Sequence, residues 1–321
     1  AGGVGVRLDI SYRTKFAFDA PVRESQNELR ACPVSDERQQ LLDYRVSVEP
    51  SARMLSFTDY WGTRVDHFGV TESHAGLEVI AEASVETQDP PAHSAAPAME
   101  SLGDREFLNT HDEFLKPTRH TDWDEAMAQK ALEVAAADGS DVVSAITGLN
   151  EFVGGRLAYE PGATEIGEPI TEILAKGAGV CQDYAHLAVA LCRSIGVPAR
   201  YVSGYLFSSN ERTGSVDGDL VRVQTHAWFE AAVPGGGWLA LDPTNRLAVG
   251  RQHVKIGHGR DYDDVPPLRG VYSGPGIPEL DASVEIRRMD PSRQPSSLMR
   301  PSLLAAVKAP RTREQQQQQQ Q

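Results

Sequence analysis

A cysteine stands where a run of small residues meets an apolar segment. In GAGVCQDYAHLAVALC, Cys181 occupies the first position of a predicted helix that follows Gly177 and Gly179. The positive end of a helix dipole and the unpaired N–H groups there favour thiolate over thiol, and the same groups could hold an oxyanion. The segment alone therefore predicts either a nucleophile or a buried structural cysteine.

Two later residues could complete a proton relay with this thiol. His226 lies in QTHAWFE and Asp242 in WLALDPT, and the turn-forming residues PGGG separate the two segments. A hairpin would bring the imidazole and the carboxylate onto neighbouring strands. A cysteine nucleophile needs an imidazole to exchange protons, and the imidazole needs a partner on its other nitrogen. We therefore predict a catalytic triad of Cys181, His226 and Asp242.

The charge and composition argue against two classes of partner. The 321-residue chain has 31 Lys and Arg against 45 Asp and Glu, a net charge of −14. An acidic surface repels phosphate backbones and anionic lipids, so we expect neither nucleic acid nor membrane as a partner. No secretory signal is recognisable after Ala1, which predicts a cytoplasmic protein. Because the chain does not begin with Met, a segment removed earlier remains possible.

The cysteines and histidines do not predict a metal or another cofactor. Cys32, Cys181 and Cys192 provide neither a disulfide framework nor a four-ligand zinc site. Cys192 would lie three helical turns from Cys181, too far for a bond. His253 and His258 have no carboxylate or cysteine partner at the spacing of a metal site. We predict no metal and no cofactor.

The elements that must position these residues form two predicted units. Alternating apolar and polar residues with turn signals predict an antiparallel β-domain at 1–88, and the Pro/Ala/Ser-rich stretch 89–101 reads as a linker. Helices followed by strands predict a catalytic core at 102–275, with a Ser/Gly/Asn-rich loop at 208–219. The Pro/Ser-rich, poly-Gln end, 276–321, is predicted to be disordered.

Several motifs resemble those of one enzyme family. The segments GVCQDYAHLAVALCRSIGVPARYVSGY and THAWFEAAVPGGGWLALDPTN are similar to the core of the transglutaminase-like superfamily. The N-terminal motifs ESQNELR and DYWG, and GRDYDDVPP after Asp242, resemble segments of its bacterial members. The resemblance covers about residues 5–275 and implies an α+β fold, in which an N-terminal antiparallel β-domain precedes a papain-like core of helices packed on an antiparallel sheet.

The resemblance also implies roles for individual residues. Cys181 would be the nucleophile, His226 the base and then the acid, and Asp242 the residue that orients His226. Transglutaminases proper use a Trp before the cysteine as an oxyanion donor, and no Trp lies between 123 and 181. Tyr159 is the candidate for that role, with aromatic packing as the alternative. The missing Trp puts efficient protein crosslinking in doubt, and no calcium requirement is expected.

The two residues after the nucleophile have two interpretations. Gln182 and Asp183 are candidates to line the cleft, but an acidic residue at a helix start also favours the helix dipole without any role in catalysis.

The predicted reaction is acyl transfer through a thioester on a peptide or protein substrate. Cys181 would attack an amide or isopeptide carbonyl, and water would release the product, as in a peptidase or amidase. Two alternatives remain open. An amine co-substrate could resolve the thioester, as in a protein-glutamine transamidase, or the fold could serve as a binding or assembly module without turnover. The sequence does not predict an oligomeric state.

Overall fold

Two antiparallel sheets, a short parallel pair and five α-helices make up the described part of the chain. The computed structural model describes residues 5–91, 96–137, 139, 141–165, 167–208, 215–217 and 219–289. The helices are α1 (Arg105–Thr110), α2 (Glu125–Ala137), α3 (Val142–Arg156), α4 (Ile170–Lys176) and α5 (Cys181–Ser194). Short 3₁₀ helices span Met99–Gly103, Asp112–Phe114 and Tyr262–Asp264.

The strands fall into an early group and a late group along the chain. The early strands are β1 (Val6–Leu29), β2 (Gln39–Glu49), β3 (Met54–Thr58), β4 (Arg64–Val70), β5 (His74–Thr87), β6 (Ala158–Tyr159) and β7 (Ala178–Gly179). The late strands are β8 (Ala199–Leu206), β9 (Ser215–Asp217), β10 (Leu220–Val223), β11 (His226–Val233), β12 (Gly237–Asp242), β13 (Leu247–Ala248), β14 (His253–Gly259), β15 (Leu268–Ser273) and β16 (Pro278–Met289).

The large sheet combines both ends of the described chain. Its main path is β2-β5-β1-β16-β10-β9, and the second half of β1 also pairs with β4 and β15. Buried and exposed residues alternate along β1 and β16, as expected for strands with one face on a core. That core includes Tyr205 and Ile256 of the second sheet, so the two sheets pack directly on each other.

The five-stranded sheet carries the predicted site. Its order is β13-β12-β11-β8-β14, and every residue of the central strand β11 is buried. Helix α5 packs on β8 and β11 and also contacts α2 and α3, so it is buried almost all round. The predicted hairpin is present: β11 and β12 pair in antiparallel register from Phe229 opposite Leu241 to Val233 opposite Gly237.

The α+β prediction is confirmed, but one boundary is wrong. Residues 276–321 were expected to be disordered, whereas β16 pairs with β1 from Arg7 opposite Met289 to Phe18 opposite Pro278. The large sheet therefore extends well beyond residues 1–88. Within the expected loop 208–219, residues 215–217 form β9. Residues 92–95 of the expected linker and the end of the chain from 290, with its glutamines, lie outside the described residues.

No helix among the described residues has the length and apolar character needed to cross a membrane.

Candidate active site

Hydrogen bonds and close packing hold the backbone where the chain enters helix α5. The residue before the helix, Val180, donates its N–H to Oδ2 of Asp183 at 2.8 Å, and Thr164 Oγ1 donates to the same oxygen at 2.6 Å. A Cβ on Gly179 would lie 2.7 Å from that oxygen, so only glycine fits there. Cys181 is thus the first residue of a helix whose entry is held by the Asp183 carboxylate.

Of the three cysteines, Cys181 alone is partly exposed. Cys32 and Cys192 are buried, and burial raises the pKa of the Cys32 thiol to about 11 and that of Cys192 to about 12. Such thiols are inert at neutral pH because the thiolate is the nucleophile. Thiol chemistry in this protein is therefore expected at Cys181.

The predicted triad comes together at one end of the hairpin. His226 begins β11 and Asp242 ends β12, and Nε2 of His226 lies 2.8 Å from Oδ2 of Asp242. The Sγ atom of Cys181 lies 4.0 Å from the carbonyl oxygen of Thr225, the residue before His226. With Nε2 committed to Asp242, Nδ1 is the ring nitrogen that can exchange a proton with the thiol.

The electrostatics of the site favour a charged imidazolium. Burial lowers the pKa of His226, but the Asp242 charge, the hydrogen bond to Asp242 and the interaction with Cys181 together raise it to about 10. Burial raises the pKa of Asp242, but the charge of His226 and hydrogen bonds from His226 and His253 hold it well below its usual range. At neutral pH, Asp242 is therefore a carboxylate beside a protonated His226.

The sequence did not identify two of the residues that hold Asp242. The N–H of Asn245 donates to Oδ1 at 3.2 Å, and its Nδ2 donates to Oδ2 at 2.8 Å. His253 places its Nε2 3.1 Å from the same Oδ2. The sequence gives His253 no carboxylate at the spacing of a metal site, but the fold places Asp242 beside it. The sequence offers a signal for Asn245, which follows Asp242 and Pro243 in a turn. His253 lies on β14 and reaches Asp242 only through tertiary packing.

The other predicted site residues lie near Cys181 in different ways. Tyr159 pairs with Gly179 in the parallel β6–β7 bridge, and burial, followed by the charge of Cys181, raises its pKa. Gln182 is half-buried on the first turn of α5. Asp183 is buried and caps the helix start, as its alternative interpretation states, and burial raises the pKa of its carboxyl.

Two groups of His and Asp side chains in the described chain have ligand atoms within 4.8 Å of one another. One comprises His226, Asp242 and His253; the other comprises His120, Asp261 and Asp263. Hydrogen bonds account for the first group. In the second, Nε2 of His120 lies 3.1 Å from Oδ2 of Asp263. His258 contacts Arg200 at 3.1 Å. We assign no metal to either group, and the absence of a cofactor stays a prediction.

The motif GRDYDDVPP packs behind the nucleophile. Tyr262 and Val265 belong to a small apolar cluster against which Cys181 packs. The N–H of Tyr262 donates to Nε2 of His186 at 3.2 Å, and Arg260 pairs with Asp264 at 2.9 Å. The contact with His186 attaches the segment to α5, and the ion pair gives Arg260 and Asp264 a structural role within the segment.

The N-terminal motifs are attached to the same region. Arg30 of ESQNELR pairs with Asp59 of DYWG at 3.3 Å, and Trp61 of DYWG lies under the guanidinium of Arg260, 5.5 Å from its ring centroid. Motifs that are far apart in the sequence therefore meet behind the site.

Comparison with known proteins agrees with this arrangement. Residues 128–243 match the transglutaminase-like superfamily, and residues 8–86 match the bacterial transglutaminase-like N-terminal region. An uncharacterized protein of Mycobacterium leprae is 35% identical over 283 residues, which cover 88% of this chain and 99% of that protein. The chain belongs to the transglutaminase-like superfamily.

Two further proteins are similar to this chain in its fold or in one segment. A candidate cysteine protease from Cytophaga hutchinsonii has a similar solved structure, with a TM-score of 0.67 at 24% identity, covering 92% of this chain and 94% of that one. A protein-glutamine gamma-glutamyltransferase of Pseudomonas aeruginosa is 31% identical over 129 residues, 36% of this chain and 19% of that protein. The first likeness concerns the fold, and the second is local.

Proposed function

We propose that this protein is a cysteine-dependent acyl-transfer enzyme that cleaves amide or isopeptide bonds in peptides or proteins. One observation carries the proposal. A partly exposed cysteine at a helix start lies against an imidazole whose far nitrogen is bound to a buried carboxylate. This is the set of groups that a thiolate nucleophile needs.

The first half-reaction forms a thioester. The Cys181 thiolate attacks the amide carbonyl carbon, and the carbonyl electrons move onto oxygen. The first N–H groups of α5, which have no partner within a helix, can stabilise this oxyanion. When the C–N bond breaks, the leaving amine takes the proton from Nδ1 of His226. Asp242 keeps Nε2 protonated and in place throughout.

The second half-reaction decides between hydrolysis and transamidation. We propose water as the acceptor: neutral His226 takes a proton from water, hydroxide adds to the thioester, and the Cys181 thiolate leaves as a carboxylic acid forms. Transamidation is the second candidate because the local relative from Pseudomonas aeruginosa is named as a glutamyltransferase. An amine would then replace water in the same step.

Dimethylated casein, with and without dansylcadaverine, separates the outcomes. Wild type should release ammonia or create new peptide termini, and Cys181→Ala should do neither. Incorporation of the fluorescent amine, with ammonia still released, would favour the transamidase, whereas ammonia or new termini without incorporation would favour hydrolysis. If wild type and Cys181→Ala give the same result in all three readouts, turnover on protein amides is contradicted and the non-catalytic module is favoured.

Partners and cellular location remain proposals. We propose a peptide or protein substrate and, consistent with the acidic net charge of −14, no nucleic-acid or membrane partner. A cytoplasmic location is likewise a proposal.

A further inference from the structure

A second histidine shares the carboxylate that orients His226. Nε2 of His253 lies 3.1 Å from Oδ2 of Asp242, the same oxygen that faces His226. The His253 side chain is buried. His253 is the first residue of strand β14, which pairs with β8. The proton-relay mechanism above does not use this residue.

The hydrogen bonds of His253 specify which nitrogen carries its proton. The N–H of Gly250 donates to Nδ1 at 3.3 Å, so Nδ1 is an acceptor. Nε2 then carries the proton and donates to Asp242. Burial lowers the pKa of His253, and therefore the ring stays neutral and keeps this tautomer at neutral pH.

Packing also fixes the plane of the His253 ring. The indole of Trp228 is fully buried and meets the His253 ring edge-on, with centroids 5.3 Å apart and planes at 78°. The Trp228 ring lies over Gly204, where a Cβ would come within 2.5 Å of it. Neither ring has room to turn, so the Nε2–H of His253 has a set direction.

The carboxylate of Asp242 needs such fixed donors because it has no solvent exposure. Oδ2 is met by His226, His253 and the Nδ2 atom of Asn245. Asn245 lies on a turn, whereas His253 lies on a strand of the sheet. We propose that His253 is a positioning residue that holds Asp242 in the rotamer that orients His226, so that Cys181 stays reactive at neutral pH.

This inference rests on the proposed function, and labelling of Cys181 tests it with three variants. His253→Gln keeps an N–H donor at about the reach of Nε2, His253→Asn carries a similar amide one bond shorter, and His253→Leu removes the donor. Iodoacetamide labelling rates of Cys181 are measured at pH 6 and pH 9.5 after dialysis against EDTA, together with melting temperatures. EDTA excludes a metal held by His226, Asp242 and His253.

The expected result separates a positioning role from a purely structural one. Labelling at pH 6 should fall about tenfold or more in His253→Leu and His253→Asn and stay within about threefold of wild type in His253→Gln. At pH 9.5, where a free thiol with a pKa of about 8.5 ionises unaided, all four proteins should label at similar rates. Melting temperatures are not expected to follow the pH 6 rates.

Two results would overturn the inference, and they differ from a failure of the proposed function. If wild type labels rapidly at pH 6 and His253→Asn labels equally fast, His253 does not position the triad. If the labelling rate at pH 6 falls in all three variants in proportion to the fall in melting temperature, the role is structural. Slow labelling of wild type itself at pH 6 would instead refute the reactive triad on which the inference rests.

Discussion

Nε2 of His226 lies 2.8 Å from Oδ2 of Asp242, although the two residues are 16 positions apart on separate strands. The β11–β12 hairpin produces this contact because His226 begins one strand and Asp242 ends the other. The contact commits Nε2 to the carboxylate and leaves Nδ1 for the thiol.

Removing the charge of Asp242 should make His226 less basic. The Asp242 carboxylate is a principal cause of the raised pKa of His226, which is about 10 in the native protein. In Asp242→Asn, we expect this pKa to fall toward the ordinary value of about 6.5. An NMR titration of ¹⁵N-labelled histidine measures it directly. A pKa for His226 that is unchanged in the variant would contradict the assigned contact.

The same contact predicts how stability depends on pH. Because folding raises the pKa of His226 above its unfolded value of about 6.5, the contact stabilises the protein fully below pH 6.5. This contribution falls as the pH rises through about 10. The free energy of unfolding should therefore differ between wild type and His226→Gln by up to a few kcal/mol more at pH 6 than at pH 10.

Urea unfolding of both proteins at the two pH values makes this comparison, since titrating groups that do not interact with His226 cancel in the difference. A difference that is the same at pH 6 and pH 10, or larger at pH 10, would contradict the predicted sign.

Helix α3 supports the turn that carries Asp242, and Gly154 is the point of contact. A Cβ on Gly154 would lie 2.7 Å from the carbonyl oxygen of Pro243 and 2.5 Å from Cγ of Arg246, which has a positive φ of 54°. We expect Gly154→Ala to lower the free energy of unfolding by about 1–3 kcal/mol and to slow Cys181 labelling. Thermal unfolding and iodoacetamide labelling measure the two effects.

The neighbouring Gly155 is a matched control in the same helix. A Cβ there would meet Nη2 of Arg246 at 3.5 Å, an ordinary contact. Gly155→Ala should be neutral or stabilise by up to about 1 kcal/mol, since alanine is the better helix former. Equal loss of stability in the two variants would show that the helix, and not the Asp242 turn, is affected.

Removing one atom, the hydroxyl oxygen of Tyr159, tests whether this side chain acts in catalysis. If it donates to the oxyanion, Tyr159→Phe should lower kcat on casein by about 100-fold or more with little change in KM. If the ring only packs beside Cys181, the variant should keep nearly full activity. The Tyr159 ring packs against the apolar core, but the charge of Cys181 acts on its hydroxyl as the second cause, after burial, of its raised pKa, so we expect the first result. Tyr184→Phe, which removes a hydroxyl bonded to the Leu157 carbonyl, is a control for general loss of packing.

The contact between His226 and Asp242 was predictable because its geometry is local. The hairpin that joins His226 to Asp242 is specified by the PGGG turn between two short strands, and Cys181 is the first helix residue after a glycine-containing segment. His253 was missed because it reaches Asp242 through the pairing of β14 with β8, which no local pattern specifies. Non-local strand pairing carries no signal in a single sequence.

The error at the end of the chain has a different cause. Leu280, Ala282, Val284 and Ile286 alternate with more exposed residues and face the core of the large sheet. This period-two pattern indicates a strand, but it lies directly before a Pro/Ser-rich stretch whose composition predicts disorder. A strand that begins at Pro278 and joins a sheet begun at Val6 has to be recognised from its alternation alone.

The most direct test of the central claim is the pH dependence of Cys181 alkylation in wild type and His226→Ala. Iodoacetamide labelling from pH 4 to 9, mapped by mass spectrometry, reports the thiolate. We predict rapid labelling of Cys181 well below the free-thiol pKa of about 8.5, lost or shifted toward that value in His226→Ala. Labelling that rises only near that pKa and is unchanged in the variant would contradict an assembled triad.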